Sequence, residues 1–376
     1  FHYYLCRRLK AAEWRLVCVS LVFGDVFTIP QFPVPGECVY IKTSKRPDNM
    51  WRKGVLIMKK QKAVSECHPK QRGFLKEIIT NRALYSMFLP AAALLILFNY
   101  MPMFGLITAF KDFNFSDGIW KSPWIQPITK NFEYLFSSGS AFSATFNTVF
   151  LNLLFIGFGL VFELGCALMF HELTSKKFKT AVQFGIFLPY FISWIVVGLF
   201  SYNLFNYEHG SLNVILSMFG MAPINWYENP KMWIVILVIF RIWKMTGYGM
   251  IMYIAALGGI DTSYYEAARI DGATRWQLVR YISLPLVAPT VITLLLLNCG
   301  KIMNADFGMF YSIIGNNAQL YSTTDVLDTF IYRNLRLNGD VGMASAAGFY
   351  QSILSTTILL LMNRLARKNN PDGALF

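Results

Sequence analysis

The sequence predicts an all-α integral membrane protein with six transmembrane helices, and three observations lead there. Hydrophobic residues make up 55% of the 376 and charged residues 15%, where a globular protein carries about 25% charge. Six apolar runs, near 84–110, 145–171, 181–205, 232–257, 284–305 and 343–363, each meet the roughly 20 residues that a helix needs to cross a bilayer. Lys and Arg gather between these runs rather than within them. The net charge of +13 would suggest nucleic acid if the basic residues formed one face. They are spread over connecting segments, so no nucleic-acid partner is expected.

Residues 1–57 read unlike the rest. They begin at Phe1, hold three of the six Cys and include a proline-rich stretch from Ile29 to Pro35. The apolar run Leu16–Phe23 is too short to span a bilayer. Glu13 and Arg15 interrupt what would follow a signal-peptide n-region at Arg7–Lys10. Met58-Lys59-Lys60-Gln61-Lys62 resembles a bacterial start. The expectation is a non-native upstream extension, or disorder, over 1–57. A cytoplasmic N-terminal segment (58–83), a transmembrane domain (84–368) and a cytoplasmic tail (369–376) follow. The six Cys show neither CxxC pairing nor metal-ligand spacing, so no disulfide framework or metal site is expected.

Orientation follows from counting Lys and Arg after residue 57. With the N-terminus inside, the inner segments hold sixteen, the outer loops six and the spans three (Arg241, Lys244, Lys301). That bias predicts a bacterial cytoplasmic (inner) membrane protein with both termini cytoplasmic. Pro90, Pro102, Pro189, Pro285 and Pro289 lie in or at the ends of spans, where neighbouring helices can compensate for the breaks.

The inner loop over 258–285 carries the sharpest local signal. Ser263 with Glu266, three residues on, has the capping-box spacing, and Thr274 with Gln277 repeats it. Gly272 stands where a helix-ending left-handed residue is wanted. Local rules therefore give a helix, a turn and a second helix, with Ala267, Ala268 and Gly272 small enough for another protein's backbone to approach.

Glu266-Ala267-Ala268, three residues, Gly272, nine residues, then Ile282-Ser283-Leu284-Pro285 resembles the EAA signature of ABC-importer permeases. The resemblance covers about residues 72–368 and is nearest to the maltose-permease-like lineage, within it to oligosaccharide and polysaccharide permeases. Further similar stretches are Leu188–Trp194, Asp325–Arg333 and Ala344–Gly348. The resemblance implies a type I importer permease whose coupling helix, carrying Glu266, Ala267, Ala268 and Gly272, docks into an ATPase subunit. It also implies a second homologous permease subunit, two ATP-binding cassette subunits carrying ATP and Mg, an extracytoplasmic solute-binding protein, and an oligo- or polysaccharide substrate. Glu266 has a plainer reading beside this one, as a residue that only caps its own helix.

Ionisable groups inside spans are candidate functional sites. Asn298, Lys301 and Asn304 recur at i, i+3 and i+6 of the fifth span, which would put them on one polar stripe. The stripe is expected either to line a translocation path or to contact a neighbouring helix. Arg241 and Lys244 in the fourth span are path candidates too, with a structural or gating role favoured, and Glu163 is their expected counter-charge. Surplus cations within the spans suggest an anionic cargo such as a uronic-acid oligosaccharide. The aromatics Tyr190, Phe191, Trp194, Tyr202, Trp226, Tyr227 and Trp233 are expected mainly as anchors at the membrane interface, beside lipid.

The sequence contains no GxxxxGK[ST] and no GxSxG, so the chain lacks a P-loop for ATP and a nucleophile elbow. No cofactor is expected in this chain and no catalytic residue is assigned. A membrane channel or a membrane-embedded transferase is the alternative class, and neither needs a capped docking helix on the inner face.

Overall fold

The computed structural model describes residues 81–369, apart from residue 138. The expected extension over 1–57, nearly all of the 58–83 segment and the tail beyond 369 lie outside these residues. Among the described residues the chain is all-α, with no strand beyond one antiparallel bridge between Lys111 and Trp124. Five helices are long and apolar enough to cross a membrane: Tyr85–Phe110, Ser140–His171, Pro230–Gly258, Arg275–Gly300 and Val341–Arg367. Lys176–Phe191 and Trp194–Phe205 complete the six as one span bent by 90°.

That bend corrects the expected third span, an unbroken run over 181–205. Pro189 lacks an N–H and crowds the turn before it, and the chain tightens into a 3₁₀ turn over Leu188–Phe191. Ile192 and Ser193 are extended, and the Ser193 hydroxyl accepts the Val196 N–H at 3.4 Å to start the helix again. The fifth span also differs from its expected 284–305. It starts at Arg275, runs through a π turn over Val279–Ser283 and ends at Gly300. The wide turn lies just before Pro285, which cannot donate a helical hydrogen bond. At the other end the chain leaves the helix because Lys301 takes a non-helical conformation.

The fourth span is central. Of its most apolar stretch 44% is buried, against 11–17% for the first, second, fifth and sixth spans. Trp233, Ile236, Leu237 and Phe240 of that span join Leu151 and Phe155 of the second and Val197 and Phe205 of the third in one cluster. A second cluster gathers Ala167, Met250, Tyr253, Leu257 and Val287 near the inner loop. Small residues set the closest approaches, as is usual where lipid supplies no hydrophobic drive. A Cβ on Gly247 would stand 2.3 Å from the Ile186 carbonyl oxygen.

Two of the stretches that carry the family resemblance are fasteners. Arg333 grips Asp325 with two hydrogen bonds, at 3.0 and 2.5 Å, and lies over the Tyr321 ring. Thr148 and Asn147 of the second span then bond the Leu327 N–H and the Asp325 carbonyl. Ala344, Ala346 and Ala347 are buried in the sixth span, and Ser345 beside them meets Thr108 of the first span at 2.6 Å.

Gly247→Ala is expected to destabilise the protein by about 1–3 kcal/mol through overpacking against fixed backbone. Gly348→Ala, where a Cβ meets nothing within 4 Å, is expected to leave stability unchanged. Thermal unfolding of both variants in mild detergent checks the contrast.

Candidate functional site

The second, fourth and fifth spans line an open cavity of about 530 Å³, with the segment after the fifth span as one wall. Arg241, Asn298, Lys301 and Asn304 all line it; Lys244 does not. The expected polar stripe is not helical, because the fifth span ends at Gly300. Asn298 is on the last helical turn, Lys301 in the turn that follows, and Asn304 in irregular chain just beyond it. Successive turns keep them together, the Lys301 N–H bonding the Asn298 carbonyl at 3.1 Å and the Asn304 N–H the Lys301 carbonyl at 2.9 Å, and tertiary bonds hold the segment in place. Asn152 of the second span donates to the Ile302 carbonyl at 2.8 Å. Asp328 accepts the Ala305 N–H at 2.8 Å and the Gln351 amide at 3.2 Å, which ties the segment to the sixth span. Burial pushes the Asp328 carboxyl above its ordinary range, with those two bonds acting the other way.

Asp306, which the sequence marks only as a boundary residue, is the hub of the cavity's edge. One carboxylate oxygen accepts from Arg241 at 3.1 Å and from the Trp194 indole at 2.9 Å. The other caps helix Phe307–Ile314 through the Met309 N–H at 3.2 Å. One side chain therefore joins the restarted third span, the fourth span and an outer helix. Asp306 thus makes the direct ion pair with Arg241, and Glu163, the expected counter-charge, acts on Arg241 only at longer range. Glu163 does line the cavity, but its carboxyl occupies the space left by Gly249, where a Cβ would sit 2.0 Å from the Glu163 Cδ. The signal for Asp306 was its position just past an apolar run and three residues before Met309, the spacing of an N-cap.

Lys244 is buried and points at the break in the third span. Its ammonium donates to the carbonyls of Tyr190 at 2.8 Å, of Ile192, and of Pro189 at 3.4 Å. It also lies 5.1 Å from the centre of the Trp194 ring. The Pro189 carbonyl still accepts the Ile192 N–H at 3.2 Å, but those of Tyr190 and Ile192 have no helical partner at the bend, and Lys244 takes the place of the missing N–H groups. The aromatics divide similarly. Trp233 is fully buried and donates to the Trp226 carbonyl, so it is no interface anchor. Tyr190 lines the cavity with Tyr248 stacked on it, ring centres 4.7 Å apart.

The inner loop forms helix Thr262–Ile270, then the first turn of the fifth span. Its first cap differs from the expected Ser263–Glu266 box. Asp261 is the N-cap, accepting the Ser263 N–H at 2.9 Å, and that bond holds its carboxyl below the ordinary range. An Asx residue accepting from two residues on outcompetes a serine that would otherwise start the helix later. The second box is present as expected, Thr274 with Gln277. Gly272 has φ 82°, and the Ala273 and Gly272 N–H groups bond the Ala268 and Arg269 carbonyls at 2.9 and 3.1 Å. This is a complete Schellman ending. Glu266, Ala267 and Gly272 are exposed, and Ala268 is half-buried. Ile270, 86% exposed, and Trp276, 69% exposed, add apolar surface that spacing alone did not single out. Among the described residues no group of His, Cys, Asp and Glu could hold a metal ion.

Over residues 156–370 the chain matches the family described as binding-protein-dependent transport system inner membrane component. It is 30% identical over 304 residues to the polygalacturonan/rhamnogalacturonan transport system permease protein YteP of Bacillus subtilis (strain 168), across 81% of this chain and 94% of that one. Among solved structures it is similar to a chain of a bacterial ABC transporter involved in the import of the acidic polysaccharide alginate. There the identity is 33% and the TM-score 0.71, over 79% of this chain and 99% of the other. A chain of a bacterial alginate ABC transporter in complex with an alginate pentasaccharide-bound periplasmic protein gives 32% and 0.70, over 79% and 98%.

Lys244→Met keeps the length of the side chain but leaves the Tyr190 and Ile192 carbonyls unpaired, at about 1–3 kcal/mol for each buried group. Folded yield in detergent is expected to collapse. Lys301→Met, in an exposed turn, is expected to keep wild-type yield. Analytical size exclusion of the two variants checks the difference.

Proposed function

This chain belongs to the family of binding-protein-dependent transport system inner membrane components, and from that premise we propose that it takes up an acidic oligo- or polysaccharide as one half of an ATP-driven pathway. It is the permease of a saccharide ABC importer; the acidic cargo, the partners and the residue roles are the further reading. The observation that carries it is the inner helix Thr262–Ile270. It is capped at both ends and exposes Glu266, Ala267, Gly272 and Ile270. A membrane-embedded chain has no internal use for such a surface. An ATPase subunit, carrying ATP and Mg, would dock there, one to each of two permeases. A channel or a transferase would leave the helix without work.

The second permease follows from the cavity wall. Asn298, Lys301 and Asn304 are exposed on this chain, and polar groups at membrane depth need protein or a water-filled path beside them rather than lipid. A homologous subunit would supply the other wall, and a solute-binding protein would deliver cargo to the outer loops. The bias of basic residues supports a cytoplasmic position for both termini.

Acidic cargo follows from charge. Arg241 is neutralised by Asp306 at 3.1 Å, whereas the Lys301 ammonium makes no hydrogen bond or ion pair among the described residues and lines the cavity. It is the cation left for a carboxylate of the substrate. The neighbours that import alginate and the relative named for polygalacturonan and rhamnogalacturonan support this reading.

In the assembled complex, Glu266→Lys is expected to release the ATPase during co-purification while the permease stays folded. Retention of the ATPase at wild-type stoichiometry would sink the docking role. Lys301→Gln is expected to cut uptake of uronate oligosaccharides by about ten-fold, in line with the loss of a charge-assisted hydrogen bond, and to leave any uptake of neutral ones unchanged.

A further inference from the structure

The docking helix turns one large side chain inward. Tyr265 is 7% exposed, while its neighbours Tyr264 and Glu266 face solvent. Its hydroxyl meets the hydroxyl of Ser283 at 3.0 Å, and Ser283 is 1% exposed. Its ring lies 5.6 Å, centre to centre, from that of His171, the last residue of the second span. Ser283 in turn ends the π turn that leads into the straight part of the fifth span. One residue thus connects the docking helix to the inner ends of two spans, both of which line the cavity.

The backbone route between the same points is poor at transmitting force. From the helix it passes the left-handed Gly272, where a Cβ meets nothing within 4 Å, then the Thr274 cap and then the π turn. A glycine hinge and a wide helical turn are both places where a helix bends. A push on the docking helix would be absorbed there unless a second contact bypassed them. Tyr265 supplies the bypass: a rigid aromatic ring, a buried hydroxyl pair and the end of a neighbouring helix.

We infer that Tyr265, through Ser283 and His171, is the positioning residue that carries movement of the docking helix into the second and fifth spans. The inference rests on the docking role proposed above and adds to it. Surface residues such as Glu266 hold the ATPase, whereas Tyr265 makes holding it consequential. Buried hydroxyl pairs of this kind are modest in energy, so the effect is one of coupling rather than of assembly.

The test uses the whole complex in lipid nanodiscs with its solute-binding protein, unliganded or loaded with a uronate oligosaccharide. Three quantities are read for each variant: ATPase bound per permease, basal ATP hydrolysis, and the stimulation by binding protein. Tyr265→Phe and Ser283→Ala are expected to keep the ATPase bound and basal hydrolysis within about two-fold, while stimulation falls about five-fold, the factor that corresponds to one hydrogen bond. The double variant should fall no further than either single one, because both remove the same contact. Tyr265→Leu, which also loses the ring, should fall further while still binding the ATPase. The inference is overturned if stimulation stays within two-fold of wild type, if the two single effects multiply, or if Tyr265→Phe sheds the ATPase. Glu266→Lys separates the two ideas: if it retains the ATPase, the docking reading fails independently of what Tyr265→Phe does. A wild-type complex that shows no stimulation removes the premise, and the inference with it.

Discussion

A bilayer has no water to offer a broken helix, so each carbonyl freed by a bend must find a partner inside the protein. The 90° bend of the third span frees the Tyr190 and Ile192 carbonyls, and the Lys244 ammonium meets both, with the Pro189 carbonyl as a longer third contact. Burying an ammonium costs several kcal/mol. Hydrogen bonds to a charged donor return about 1.5–3 kcal/mol each, and the Trp194 and Tyr190 rings at 5.1 and 5.6 Å add a favourable face for the cation. Three such bonds offset the cost where one would not. The bend and the buried lysine are therefore each tolerable only because of the other.

Much of the cavity depends on that bend. Restarting the helix at Trp194 brings its indole to Asp306, and Asp306 in turn fixes Arg241. The same carboxylate caps the outer helix, so the wall over 301–306 is held from both ends, by Asn152 and Asp328 on one side and Asp306 on the other. Arg241 is consumed in this frame. Lys301, in the turn after the fifth span, is left out of it and faces the cavity with its charge uncommitted. Family membership explains that such a chain transports; this frame explains which of its charges are free to meet a cargo.

At the inner face the design is different, because water is present and backbone ends can be solvated. Caps still appear at each turn: Asp261, the Schellman pair at Gly272, and Thr274 with Gln277. They shape a short helix that has little burial of its own to rely on, since a helix of nine residues is marginal without tertiary support. Tyr265 is its one buried residue. An exposed surface anchored by a single inward side chain suits the docking role proposed for this helix.

The six spans, their order, the helix–turn–helix form of the 258–285 loop and the absence of a P-loop were legible in the sequence, because apolar length, basic-residue bias and cap spacing act over short stretches of chain. Asn298, Lys301, Asn304 and Arg241 were legible too as polar residues that lipid would not accept. Their geometry was not: the i, i+3, i+6 spacing implied a helical stripe, and a turn after Gly300 brings the three together instead. The direct ion-pair partner of Arg241 was not legible for the same reason. Glu163 and Asp306 are equally plausible as charges, and only the bend that carries Trp194 to Asp306 selects between them. Local chemistry determined which residues could not face lipid. Tertiary structure decided which of them face one another, because a bend of 90° relocates every group beyond it and no local pattern fixes where its freed carbonyls find a donor.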